Sequence, residues 1–410
     1  RVMWLITICT ALSLFGDSAL YVVLPSQFER FGLVILNVGW LLSVNRLVRL
    51  PLNVPSSWLA RRFGPKWPLV VGLVCGAIST MGFGLLHSFW ALLALRCLWG
   101  VAWALIVVAS YAFVLEAAGS TKRGRFTGIY MSFSRFGGAL GAMLGGALLD
   151  TLGVRVSMTV LASCGGLAAV LALLLPNTGR AIHTAGLSLP GVTKTSSRST
   201  HWARQLRAVD PAIWLVFLFN FAHLLVFGGV FYSTFGHYLR MVAGDSITIG
   251  GLVIGVASLT GALLFARNIL GLVGSPLVGA ISDRSGRRAR ALLLAELFGA
   301  LSLVLLAIDR SAPTVVIGIL VASVSYGIAP GLLLAWLGDL SSGRPGLAVG
   351  GFQTAGDLGS GLGPLIAYPL VAWLGVRGVY ALAAGVIAMA ALAALAFSRK
   401  HLGSPRGLPQ

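Results

Sequence analysis

Charge is scarce in this chain, and acidic charge is scarcest. Of its 410 residues only 10% are charged, and Asp and Glu together number 11. A soluble domain of this size carries about a quarter charged residues, so water is not the main solvent. Cysteine is sparser still. Cys9, Cys75, Cys97 and Cys164 all fall inside apolar runs, with no metal spacing and no pairing logic. They read as small buried hydrophobes, not as a disulfide framework. Walker sequences, metal-ligand clusters and nucleophile elbows are missing as well. That argues against ATP as an energy source and against an enzyme, and no cofactor or metal is expected.

Apolar side chains are abundant: 57% of the residues are hydrophobic and the mean hydropathy is +0.91. The 53 glycines are too many for soluble helices, but small residues let membrane helices approach closely. Lys and Arg outnumber the acids 30 to 11, a formal balance of +19. On a soluble fold that surplus would point to nucleic acid. Here it sits in short segments between apolar runs, so no nucleic-acid partner is expected.

A spanning helix needs about 20 mostly apolar residues. Such runs lie near 3–25, 35–58, 67–87, 89–116, 126–150 and 154–176, and again near 211–235, 248–281, 290–308, 312–337, 346–374 and 377–397. The first run is too long for a signal-peptide core and has no small-residue cleavage site, so it reads as a spanning helix. The expected organisation is a six-helix bundle over 1–176, a linker over 177–210, a second bundle over 211–397 and a tail over 398–410. Within the linker, Trp202 to Val209 has the makings of a short surface helix. With the first residue inside, twenty Lys and Arg fall on the cytoplasmic side. Five fall on the other: Arg30, Arg155, Arg240, Arg310 and Arg377. Both termini are therefore expected to be cytoplasmic.

An internal repeat appears at a constant offset of 222 residues. Leu152-Gly153-Val154-Arg155 recurs as Leu374-Gly375-Val376-Arg377, and Gly128, Gly137 and Gly141 recur as Gly350, Gly359 and Gly363. Leu41-Leu42 recurs as Leu263-Leu264, and Arg62-Phe63-Gly64 aligns with Arg284-Ser285-Gly286. Parallel six-helix repeats with a site between them are a transporter architecture.

After the eighth run comes Gly279-Ala-Ile-Ser-Asp283-Arg284-Ser-Gly286-Arg287-Arg288. Gly279 is expected to allow close packing, Asp283 to end the helix, and the arginines to hold the cytoplasmic face. This stretch resembles the loop signature of the major facilitator superfamily, and the resemblance extends over essentially the whole chain. The N-terminal copy departs from it, with Ser57 in place of Gly and Arg61 in place of the acid, while Arg62 is kept. Glu116 and Arg123 resemble the family's acid–base pair at the end of the fourth helix; ordinary interfacial charges are the alternative. Arg96-x-x-x-Gly100 resembles the pattern associated with proton coupling. Gly137-x3-Gly141-Ala142-x2-Gly145-Gly146 resembles the antiporter glycine motif, with plain helix packing as its alternative.

The resemblance implies an all-α membrane protein of twelve transmembrane helices in two pseudo-symmetric six-helix bundles, most like the drug/proton antiporters. It implies a monomer among membrane lipids, with protons and a small-molecule substrate as partners. The expected location is a plasma membrane, of the bacterial inner-membrane kind.

An ionisable group inside the membrane is a functional candidate by default. The spans hold Asp17, Arg46, Arg49, Arg96, Arg135, Arg267, Glu296 and Asp357. Asp17 shares a polar face with Thr10, Ser13 and Tyr21 and is expected to carry a coupling proton, with Arg96 as its counterpart. Arg46, Arg49 and Asn53 share a face of the second helix. Arg135 and Asp357 are repeat equivalents with opposite charges. Asp357 is expected to pair with Arg46 or Arg49, all lying roughly 12 to 17 Å from the cytoplasmic helix ends at about 1.5 Å per residue. Arg135 should then approach Arg267 and Asn268. For Arg96 and Arg267 a structural anchor and a substrate role both stand. Asn220 and His223 are cavity candidates or satisfied polar groups. Trp103, with Trp99, Phe227 and Phe231, is an aromatic lining or packing. Glu296 is expected to pair with a cytoplasmic arginine.

Three functions remain open: proton-coupled efflux of a small organic solute, uptake or exchange of an organic anion through a positive cavity, and a receptor or scaffold that does not transport.

Overall fold

The computed structural model describes residues 1–119, 122–177, 211–249, 251–285, 288–308, 311–340 and 345–402. The linker beyond residue 177, its suggested surface helix, Gly286, Arg287 and the tail after residue 402 lie outside them. Among the described residues nine helical stretches are long and apolar enough to cross a membrane. Two of these are double-length. The helix Arg123–Leu173 breaks at Gly153 (φ 74°) and Pro345–Leu402 breaks at Gly375 (φ 69°). These are the repeat-equivalent glycines, and each supplies the left-handed backbone that reverses the chain.

Dividing there, the helices are α1 Val2–Gln27, α2 Ile35–Phe63, α3 Lys66–Leu85, α4 Phe89–Ala118, α5 (123–152) and α6 (154–173). The second half has α7 Pro211–Ala243, α8 Val256–Ser285, α9 Arg288–Ile308, α10 Ala312–Leu340, α11 (345–374) and α12 (376–402). Helix α2 completes the twelve. It falls outside the nine apolar stretches, and it carries Asn45, Arg46, Arg49 and Asn53.

Two boundaries differ from expectation. Residues 248–255 do not begin α8. Strands β1 Ser246–Ile249 and β2 Leu252–Gly255 form an antiparallel hairpin. Its β-branched Ile247, Thr248, Ile249, Val253 and Ile254 favour extended backbone, and Gly251 turns at φ 84°. Helix α7 runs on to Ala243, and within it Leu224–Phe231 is π-helical, a widened turn common at functional sites.

Small residues set the packing inside each half. A Cβ at Gly137, Gly141 or Gly145 of α5 would overlap Ala11, Phe15 or Ala19 of α1. In the second half Gly359 and Gly363 of α11 pack the same way on α7, against Phe221 and Gly229. The glycine pattern thus fuses α1 to α5 and α7 to α11.

Between the halves, contact is tight at the face away from the chain start. Asp150 of α5 accepts hydrogen bonds from the Ser258 N–H and hydroxyl at the start of α8, both 2.7 Å. Gly146 meets Ala257, Gly39 meets Pro364 and Tyr368, and Arg240 pairs with Glu29 at 2.6 Å. Toward the terminal face, a Cβ at Gly128 of α5 or Gly279 of α8 would stand in open space. Gly279 therefore provides no close packing among the described residues. Among the described residues the closest backbone contacts between the halves lie at the face away from the chain start.

Candidate functional site

The polar stripe of α1 is directed at α4 and α2. Thr10 meets Ser110 of α4 at 3.2 Å. Asp17 receives Arg96 Nη1 at 2.6 Å and Asn45 Nδ2 at 3.4 Å. Arg96 is fully buried, and its Nε donates to the Leu41 carbonyl at 2.8 Å. Gly100 makes this possible: a side chain there would strike the Asn45 carbonyl and Val48, so its absence lets α4 lie against α2. The Arg96-x-x-x-Gly100 spacing is thus a docking surface for α2 with one cation at its edge. Tyr21 accepts from Arg46 Nε at 3.1 Å and donates to the Leu42 carbonyl.

Tyr21 also reaches across to the other half, with its ring centroid 4.8 Å from that of Tyr232 on α7. Behind Tyr232 lies Arg267 of α8, 2% exposed, its guanidinium 4.6 Å from the Tyr232 ring and 3.7 Å from the Tyr326 ring of α10. Arg267 Nη2 donates to the Phe227 carbonyl at 2.8 Å, inside the π-helical stretch. Arg46 and Arg267 both lie within electrostatic reach of Tyr232 and Tyr326, and Arg135 within reach of Tyr326. Arg49 pairs with Asp357 of α11.

The charge balance of this centre follows. Both acids have an arginine partner, Asp17 with Arg96 and Asp357 with Arg49. Arg46, Arg135 and Arg267 make no ion pair among the described residues. Three phenols and two uncompensated cations, Arg46 and Arg267, therefore meet between the halves, an arrangement suited to an anion with a planar or apolar body.

Several expected site residues lie elsewhere. Trp99 fills the space left by Gly76 of α3 and Trp103 stacks on it at 6.1 Å, so the pair packs the first half and does not line the centre. Asn220 ties α7 to the Phe352 carbonyl of α11 at 2.8 Å. Arg135 is exposed; its neighbour Phe136 meets Phe265 of α8, while Asn268 bonds within its own helix to Leu264. Asn53 is half-buried, and its carbonyl accepts from Ser57. Glu296 pairs with His223 at 2.8 Å, not with a cytoplasmic arginine, because α7 lies against its buried face. Glu116 is exposed, and Arg123 donates to the Gly119 carbonyl instead of to it. Arg62 lies over the Trp58 ring at 5.2 Å. Asp283 and Arg284 are exposed in the last turn of α8, and Arg288 opens α9.

Tyr232, Tyr326 and Asn45 are the centre residues missed in the sequence. Their signal was a phenol or amide inside an apolar run.

The model of the Major Facilitator Superfamily matches residues 6–271 and 258–409. Among individual proteins, an uncharacterised transporter of this type from Methanocaldococcus jannaschii is 24% identical over 170 residues, 42% of this chain and 43% of that one. Multidrug resistance protein MdtH of an Enterobacter species is 31% identical over 134 residues, 32% of this chain and 33% of that protein. The matches span well under half the length of these relatives. The nucleoside transporter NupG has the same fold, with a TM-score of 0.77 at 15% identity over 97% of this chain and 98% of that one. A bacterial homologue of the lysosomal transporter Spinster, inward-facing and occupied, gives 0.76 at 16% identity over 98% of both chains. With the family model matched from near one end to the other, the chain belongs to the major facilitator superfamily and is an integral multi-pass membrane protein.

Proposed function

We propose that the chain carries a small organic anion by alternating access between its two halves. The observation that supports this reading is the surplus at the centre: Arg46 and Arg267 face three tyrosines while Asp17 and Asp357 are already neutralised. A positive site of this kind repels organic cations and favours a carboxylate or phosphate through a planar guanidinium fork. On this reading the protein works as a monomer in a plasma membrane of the bacterial inner-membrane kind. Its termini are cytoplasmic, as the twenty-to-five distribution of Lys and Arg suggests.

The test is uptake into sealed proteoliposomes of benzoate against tetraphenylphosphonium. Benzoate should enter, and R46Q and R267Q should abolish its entry. Transport of the cation with benzoate excluded would overturn the reading.

Exchange of solute against protons is a second reading, supported by the Asp17–Arg96 pair and by relatives named as multidrug proteins. An acid held by one buried arginine can take a proton and release that arginine to another partner. An imposed pH gradient should then drive the solute outward, and D17N should remove the response.

A further inference from the structure

The second half contains a buried ionisable pair that the centre does not use. His223 of α7 and Glu296 of α9 meet through Nδ1 and Oε1 at 2.8 Å, with side chains 1% and 8% exposed. The other two polar atoms of the pair, His223 Nε2 and Glu296 Oε2, are buried without a partner among the described residues. Native proteins leave few buried polar atoms unpartnered, and each such atom calls for a reason.

The pair is joined to Arg267 twice. The His223 ring stacks on Tyr326, with centroids 6.2 Å apart and planes 15° apart, and Arg267 lies over that same ring. His223 also touches Phe227 at 5.0 Å, whose carbonyl anchors Arg267. The packing is dense, since Gly299 of α9 admits both Phe227 and Ser325.

We propose that His223 and Glu296 form a proton-binding site whose occupancy is linked to the charge at Arg267. With one proton the pair is neutral overall. Without it, a carboxylate stays buried beside a neutral imidazole, and such a charge is costly unless a cation compensates it. The surroundings supply few candidates. Helix α10 brings Tyr326 and, toward its terminal end, Asp339; α11 brings Asp357; α12 brings Tyr380; α9 brings its own Arg290. Among the described residues Arg267 is the cation that shares a ring with His223.

The sign of the linkage follows. An anion bound at Arg267 cancels the charge that stabilises the deprotonated pair, so the pair holds its proton more tightly. By reciprocity the proton favours the anion. Resting on the anion reading, this adds that proton and anion occupy the second half together.

The test is NMR of 13C-labelled histidine in the purified protein. The chain has six histidines, and the His223 signal is the one lost in H223Q. Its chemical shift is followed against pH. R267Q should move the midpoint up by about one pH unit or more, while R267K should leave it in place. E296Q, which removes the anionic partner, should move it down; if R267Q does not fold, Y326F and Y326L, which keep and remove the ring shared with Arg267, carry the test, the second alone moving the midpoint. A His223 signal that does not change with pH, or one that R267Q does not move, overturns the proposal. Benzoate should act like R267Q. A shift in R267Q without one from benzoate keeps the proton site and counts against the anion reading alone.

Discussion

Arg49 of α2 and Asp357 of α11 form an ion pair that crosses from one half of the chain to the other. Their side chains are 20% and 29% exposed, so each charge is partly stripped of water. Removing one partner leaves the other stranded; removing both does not. The pair D357N and R49Q should therefore be non-additive in melting and transport, with a coupling of about 1 kcal/mol or more. Arg46 instead bonds Tyr21, so D357N with R46Q should be nearer to additive. Two additive cycles would remove the pair from the account.

Asp17 neutralises a fully buried guanidinium. D17N keeps the shape and loses the charge, leaving Arg96 with the Leu41 carbonyl as its main acceptor. The expected result is a lower melting temperature, by about 3 kcal/mol of stability or less, with any pH-gradient dependence of transport gone. A variant as stable as the parent that keeps gradient-driven transport would assign the proton elsewhere.

The glycines of α5 and α8 should respond differently to alanine. At Gly141 a Cβ overlaps Phe15 of α1, so G141A should cost about 1 to 3 kcal/mol. At Gly279 a Cβ meets nothing, so G279A should be neutral or gain up to about 1 kcal/mol through helix propensity. Thermal unfolding in one detergent compares the two directly, and equal effects would show that the packing assignment is wrong.

Asp150 satisfies the first turn of α8 from the opposite half. D150A should cost about 1 kcal/mol, the worth of a helix cap, and should weaken closure at that face. A cysteine placed at Ser258 in the D150A background should label faster with an impermeant maleimide. An unchanged rate would mean that Gly146 and Gly39 hold that face without Asp150.

Much of this was legible because membrane helices declare themselves by length and hydropathy. The turn glycines Gly153 and Gly375 were visible as a repeat, and both adopt the left-handed backbone. The Arg49–Asp357 pair could be approached by counting residues from the helix ends, which measures depth. What counting cannot supply is the rotation of each helix and its neighbour. That is why Glu296 found His223, 73 residues earlier, and why Trp103 turned toward α3 instead of the centre. The hairpin at 246–255 was hidden because β-branched apolar residues suit a spanning helix and a strand equally over so short a run.

Gly145 and Gly146 are consecutive, yet they serve different neighbours: Gly145 receives Ala19 of α1, and Gly146 receives Ala257 of α8. The first contact lies within a half and the second between halves, so one peptide unit separates an internal joint from one that bridges the two bundles. Because the glycine row bolts α1 along α5, the two helices behave as a single stiff beam. A beam cannot tilt at one end alone. Any swing that lifts Gly146 away from Ala257 must carry the far end, near Gly128, toward α8. Under the proposed alternating access, protection against a continuous leak would lie in the stiffness of this element.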